Sequence, residues 1–203
     1  MTVEEGLAPA AGILGRPLEQ LERDQLDRFL GLLVARAPQL GLLGPRESTS
    51  ALERHVLDCL RASVGVVGTD RDAYDLGSGA GLPGVVVAIV HPGLRVALVE
   101  SRRRRVAWLE YVADELGLAN VALLHRRVEE LSSPADVCFS RAFAPIERSW
   151  ELAWPVLRPG GRLVYFAGRR VDLSRAVRLS KDVRVVSESP LESSGPLVII
   201  ARQ

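Results

Sequence analysis

The segment Asp75-Leu76-Gly77-Ser78-Gly79-Ala80-Gly81-Leu82-Pro83-Gly84 leaves a short β-rich run, Ala73–Leu76, and enters an apolar helix-like one. In that context a glycine loop marks a ligand site. Glycines permit a tight turn with positive φ and let a ligand approach backbone that carries no side chain. Twenty-five residues after Asp75, Glu100 ends the next β-rich run, placed to accept hydrogen bonds from both hydroxyls of a ribose. Loop and acid together point to a nucleoside-containing cofactor.

Spacing separates the cofactors. The dinucleotide fingerprint GxGxxG needs glycine at position 82, where this chain has Leu82. A dinucleotide also needs helix N–H groups aimed at a pyrophosphate. S-adenosylmethionine has no phosphate but carries an amino acid, whose ammonium suits a carboxylate such as Asp75. The pattern D-x-G-x-G-x-G therefore favours S-adenosylmethionine, with Asp75, Gly77, Gly79, Gly81 and Glu100 as its binding residues. A glycine-rich structural turn and a nucleotide-linked oxidoreductase are the competing readings.

Outward from the loop, β-rich runs at Arg95–Glu100, Val121–His125, Ala135–Arg141, Gly161–Ala167, Arg184–Ser189 and Leu197–Arg202 alternate with helix-length segments. Such alternation predicts parallel βαβ units in a doubly wound α/β sheet, the Rossmann-like architecture of class I methyltransferases, here with seven strands. The last two runs are separated only by Pro190 to Pro196, too short for a helical crossover, so the C-terminal strand is expected to be antiparallel. Upstream the period is helical. Pro17 suits a first turn, and Leu18, Leu21, Leu26, Phe29, Leu30 and Leu33 recur at helical spacing until Pro38 and Gly41. A second helix is expected from Ser50, with Glu53 completing a capping box and Leu52, Val56, Leu57 and Leu60 on one side. Residues 1–70 thus read as a helical extension and 71–203 as the cofactor-binding core of one compact unit.

The 203 residues, 47% hydrophobic and 25% charged, suit one globular domain, which at this length buries roughly 70% of its unfolded surface. The longest apolar stretch, the nine residues Leu82–Val90, falls far short of the roughly 20 that a membrane helix needs. Met1 to Gly6 begins acidic and lacks the apolar core of a signal peptide. Cys59 and Cys138 have neither disulfide-framework nor CxxC spacing, and His91 and His125 are remote from His55, so no metal site is expected. These features suggest a cytoplasmic protein with no membrane partner, expected to be a monomer. The formal charge of +1 hides an asymmetry: residues 1–94 carry 8 Arg against 12 acids, residues 95–203 carry 17 Arg and one Lys against 13.

Methyl transfer from a sulfonium needs in-line approach of a nucleophile, and little else if that atom already has a free lone pair. Guanine N7 has one, exposed as a major-groove acceptor. After the fourth β-rich run, Cys138-Phe139-Ser140-Arg141-Ala142-Phe143 contains neither the Asn/Asp-Pro-Pro-aromatic motif used for amines nor a Pro-Cys nucleophile, and Cys138 reads as a buried apolar residue. Catalysis by positioning, without a general base, fits these residues.

The residues also resemble a family. Arg54-His55-Val56-Leu57-Asp58-Cys59, the glycine loop, Val99-Glu100-Ser101, Arg127-Val128-Glu129-Glu130 and Ser140-Arg141-Ala142-Phe143-Ala144 look like successive motifs of the RsmG (GidB) family. Its members methylate guanine N7 in small-subunit (16S) ribosomal RNA with S-adenosylmethionine. The resemblance implies that Gly77 and Leu82 line the cofactor, that Val128 and Glu129 flank its adenine, and that Arg141 reaches into the pocket. Ribosomal RNA, naked or in a ribosomal particle, is the implied partner. The family usually has Ser where Cys59 stands, and Lys-Gly at the end of strand five, where this chain has Ala167-Gly168 followed by Arg169 and Arg170. Arg169 is then the candidate to substitute for that lysine. Arg141, His55 and Arg169 are the positioning candidates; no residue is assigned chemical catalysis. A methyltransferase for another acceptor and a non-catalytic cofactor- or RNA-binding paralogue remain open.

Arg102, Arg103, Arg104 and Arg105 open the helix after the second strand, where positive charge opposes the helix dipole. Contact with RNA phosphate and a solvated basic face explain them equally. Arg126-Arg127 and Arg169-Arg170 also follow strands, and the carboxyl ends of parallel strands share one rim. Arg102 to Arg105, Arg169 and Arg170 are accordingly the expected RNA-binding residues. His55 has two readings, a structural hydrogen bond at the helix–core junction or a place in the pocket lining. Trp108, Trp150 and Trp154 lie in helical patterns and read as core rather than base-stacking platforms.

Overall fold

The computed structural model describes residues 7–42, 44, 52–170, 172, 174–187, 191 and 194–203; the side chains of residues 52–54 and 177 are not described. Its centre is one seven-stranded sheet: β1 (Asp72–Leu76), β2 (Arg95–Glu100), β3 (Val121–His125), β4 (Ala135–Arg141), β5 (Leu157–Phe166), β6 (Val183–Val186) and β7 (Leu197–Ala201). The spatial order is β3-β2-β1-β4-β5-β7-β6. β1 pairs in parallel with β2 and β4, while β7 runs antiparallel to β5 and β6, as the short connection before it requires. Winding reverses between β1 and β4. That switch opens a crevice at the carboxyl ends of these strands.

Period-two alternation divides the sheet's side chains between two cores. Val137 and Phe139 face one cluster with Val96 and Leu98; Cys138 faces the other with Leu76, Val99 and Leu163. Helices cover both faces: α1 (Ala10–Leu14), α2 (Gln20–Arg36), α3 (Asp58–Leu60), α4 (Gly84–Val90), α5 (Arg103–Leu116), α6 (Ile146–Ala153) and α7 (Ser174–Val177). α4 is buried along its whole length, hence its unbroken apolar sequence. Leu26, Phe29 and Leu33 of α2 join the core cluster that holds α4 and α5, so the N-terminal extension shares the core of the sheet.

Polar contacts close the same junction. Arg16 forks onto Glu22 (2.8 and 2.6 Å), whose carboxylate also accepts the Glu19 N–H, and Arg16 reaches the Val90 carbonyl at 3.0 Å. Gln25 Nε2 donates to the Leu116 carbonyl at 2.8 Å. These two carbonyls end α4 and α5 and have no partner in the next helical turn.

Three expectations change in detail. The helix expected from Ser50 is a π-helical stretch from Leu52 to Leu57, then α3, then a 3-10 turn from Arg61 to Gly65; the Ser50–Glu53 capping box lies outside the described residues. β5 begins at Leu157 rather than Gly161, because Leu157 already pairs with Ala135 across an irregularity before Val137. The link from β3 to β4 contains a 3-10 turn, Val128–Glu130, in place of a helix.

Candidate functional site

Gly77, Gly79 and Gly81 have φ of 70°, 56° and 98°. Gly77 is required for a second reason: a Cβ there would collide with the Phe143 ring. The loop then folds back on itself. Ser78 N–H donates to the Val99 carbonyl at 2.9 Å, and Gly81 N–H to the Ser78 carbonyl at 2.7 Å. Asp75 lies behind it, 1% exposed, with Oδ2 accepting the Gly84 N–H at 3.2 Å. Glycine at 84 allows this approach, since a Cβ would stand 2.6 Å from that oxygen. Burial pushes the Asp75 carboxyl up to about 7.

Glu100 ends β2 and faces the crevice. Oε2 accepts the Gly79 N–H at 3.2 Å and Oε1 the Arg102 N–H at 2.9 Å, with Arg105 Nη1 3.5 Å from Oε2. Two backbone donors fix the carboxylate while leaving acceptor capacity for a ligand. It opens on a cavity of about 380 Å³, in the range of small-molecule sites. Gly77, Val99, Glu100, Ser101, Arg102 and Arg105 form one side; Arg126, Arg127, Val128 and Glu129 form another; Ala142 and Phe143 complete it. A nucleoside fits this chemistry, with a fixed acceptor for a diol and valines 99 and 128 as apolar walls. Four arginines at the edge suit an anion.

Of the residues expected to bind cofactor, Gly77, Glu100, Val128 and Glu129 line this cavity. Gly79 acts through its N–H on Glu100. Gly81 is packed against Val85, Leu109 and Phe29, Leu82 belongs to the core, and Asp75 serves the start of α4; none of the three is in the lining. Arg141 also lies outside it, with Nη2 3.1 Å from His55 Nδ1 and Nε 3.6 Å from Asp58 Oδ2. Asp58 in turn accepts from Arg61 (2.8 Å) and Ser194 (2.7 Å), so His55 sits at the junction of the extension and β4. Of the basic residues, Arg102 and Arg105 border the cavity, and Arg103 is exposed on α5. Arg104 borders a separate hollow with Arg36 and Tyr111, and Arg169 and Arg170 are exposed after β5. Trp108 and Trp150 are buried; Trp154 is 39% exposed and packs edge-on against Trp150. Among the described residues no His, Cys, Asp and Glu cluster is arranged to hold a metal, and no helix is long and apolar enough to cross a membrane.

Phe143, within the Ser140–Ala144 segment, also belongs to the site without any signal of that role in its local sequence. Its ring packs against Gly77, a contact between loops 66 residues apart that no local pattern announces.

The doubly wound sheet and its crevice define the class: the chain has the Rossmann-like fold of class I methyltransferases. It superposes on the precorrin-6y C5,15-methyltransferase of Geobacter metallireducens with a TM-score of 0.53 at 18% identity, covering 80% of this chain and 90% of that one. A model of the GidB family, described as rRNA small subunit methyltransferase G, matches residues 22–195. The chain belongs to that family. A ribosomal RNA small subunit methyltransferase G from a Nocardioides species is 43% identical over 147 residues, covering 71% of this chain and 58% of the relative. One from an Arthrobacter species is 35% identical over 205 aligned positions, covering 96% of this chain and 92% of the relative. In the first three relatives the match spans 56–64% of the relative's length.

Proposed function

We propose that the protein transfers the methyl group of S-adenosylmethionine to N7 of a guanine in small-subunit ribosomal RNA. The observation that carries this reading is Glu100, a buried carboxylate fixed by two backbone N–H groups at the wall of a nucleoside-sized cavity, in a chain of the GidB family. The relatives' names supply the substrate class.

When bound, S-adenosylmethionine supplies an electrophilic methyl group on a positively charged sulfur. Glu100 holds the ribose hydroxyls, and the Gly77 backbone admits the chain that bears the sulfur. Val128 and Glu129 flank the adenine. Leu82, Gly81 and Asp75 support the loop from behind, and Arg141, held by His55 and Asp58, supports the strand end beside it. Arg102, Arg105, Arg126 and Arg127 favour a polyanion over a cofactor that is itself a net cation, so they are assigned to RNA phosphate near the cavity mouth. Arg103, Arg104, Arg169 and Arg170 extend that field. The acceptor nitrogen needs no deprotonation, in keeping with a cavity that presents no histidine. Buried Cys59 and Cys138, whose thiols burial pushes up, are inert supports suited to the cytoplasm, where the protein is taken to act as a monomer.

The test is methylation of naked 16S rRNA, small ribosomal subunits and tRNA with labelled S-adenosylmethionine, followed by mapping of the modified base. Label at guanine N7 of 16S rRNA is expected. Cofactor binding without label in any RNA overturns the reading in favour of a non-catalytic paralogue, and preferential NAD binding in calorimetry overturns the cofactor assignment.

A further inference from the structure

Phe143 is presented by a loop built to hold it still. Ala142, just before it, has φ of 52°, the only positive φ at a non-glycine residue among those described. Backbone in this region is strained for an L residue and persists where its surroundings enforce it. Here the Ala144 carbonyl accepts from both Tyr165 Oη (3.1 Å) and Ser149 Oγ (3.2 Å), and Ser149 is paired with buried Ser140 at 2.9 Å. These contacts tie both ends of the turn to β5 and α6. The result is an aromatic ring, partly exposed, against Gly77 in a cavity whose other side chains are mostly charged.

The proposed reaction gives that ring a task. As the lone pair of guanine N7 forms the new N–CH3 bond, the C–S bond breaks and its electron pair stays on sulfur. No proton moves, and the positive charge passes from sulfur to the purine. The nearby arginines oppose a cation, whereas the face of an aromatic ring attracts one. We propose that Phe143 is the residue on which the target guanine stacks, and that its π face favours the base more strongly as the purine becomes cationic. Such a contact strengthens toward the transition state and therefore acts on kcat. This inference rests on the methyl-transfer reading above.

The test compares the wild-type chain with F143L, F143Y and F143W, measuring methyl transfer to 16S rRNA, cofactor Kd by calorimetry, and the relative affinity for RNA with guanosine or 7-methylguanosine at the mapped site. F143L keeps apolar bulk but loses the π face. Its kcat is expected to fall on the order of 10-fold, with cofactor Kd held within about threefold as evidence of an intact fold. F143Y and F143W should recover most of that loss, and F143L should lose any preference for the methylated RNA. Wild-type transfer with F143L turning over equally well overturns the role of Phe143 alone. F143L losing cofactor affinity in step with activity makes the ring a cofactor wall and also overturns it. No transfer to guanine N7 by the wild type overturns the methyl-transfer reading itself.

Discussion

The two ends of the sheet use the same residue types to opposite effect. At the amino end, arginines and acids are matched. Asp72 pairs with Arg95 at 2.6 Å and Arg158 at 2.9 Å; Asp136 pairs with Arg158 at 2.6 Å and accepts the N–H groups of Arg71 and Asp72 at 2.8 and 2.9 Å. Burial alone would raise the Asp136 carboxyl, but these backbone donors and then Arg158 outweigh it and hold it below the usual range. At the carboxyl end, among the described residues no carboxylate makes an ion pair with Arg102, Arg126 or Arg127, and Glu129 is committed to Arg148 at 2.7 Å. One edge neutralises its charge to hold strands together. The other gathers cations around a cavity, the arrangement that the proposed reading assigns to RNA phosphate.

If the comparison holds, substitutions at one end should change binding and at the other stability. The largest effect is expected from Glu100→Ala: loss of a charged acceptor for two hydroxyls should weaken S-adenosylmethionine binding by about 2–3 kcal/mol, roughly 30- to 150-fold in calorimetric Kd. An unchanged Kd breaks the assignment of the cavity. Asp136→Ala should cost about 2 kcal/mol in denaturant unfolding, since it strands two backbone donors and leaves Arg158 only its pairing with Asp72, and leave cofactor Kd unchanged. A shift in Kd would mean that the two ends are coupled.

Removing Arg102 and Arg126 together should lower RNA affinity on the order of 10-fold at low salt and make the log–log salt slope shallower by about 2, without altering the melting temperature. A constant slope would return both to a solvated basic surface. A further test concerns Asp75. Its carboxyl is raised to about 7 in the folded chain from about 4 when unfolded, so the folded state binds more protons between those values. Wild-type stability should therefore decline with rising pH across that window and level off above it, whereas Asp75→Asn should lack this component. Melting curves of both proteins from pH 4 to 8 check the sign.

Much of this architecture was legible beforehand, for definable reasons. Strands such as Arg95–Glu100 and Ala135–Arg141 are apolar runs bounded by polar turns, and the seven-residue gap before Leu197 leaves no room for a crossover helix. The left-handed backbone of the loop glycines and the place of Glu100 at the end of β2 were legible because both follow from backbone geometry and chain spacing. Asp75 is ambiguous in sequence: an acid beside a glycine loop can face a ligand or support the next helix, and in the fold its Oδ2 accepts the Gly84 N–H at the start of α4. Arg141 is engaged by His55 and Asp58, 86 and 83 positions earlier, contacts that no local pattern encodes. Trp154 follows Trp150 at helical spacing, yet the chain turns into a 3-10 segment there and leaves it partly outside.

The contacts of Arg16 and Gln25 with the Val90 and Leu116 carbonyls also bear on how such chains can diverge. Both acceptors are main-chain oxygens, which every amino acid provides. The hydrogen bonds themselves therefore set no demand on the side chains that end α4 and α5, which core packing constrains instead, while on the extension they depend on Arg16, Glu22 and Gln25. The dependence is one-sided. A chimera carrying this extension on a relative's sheet should fold if those three side chains travel with it.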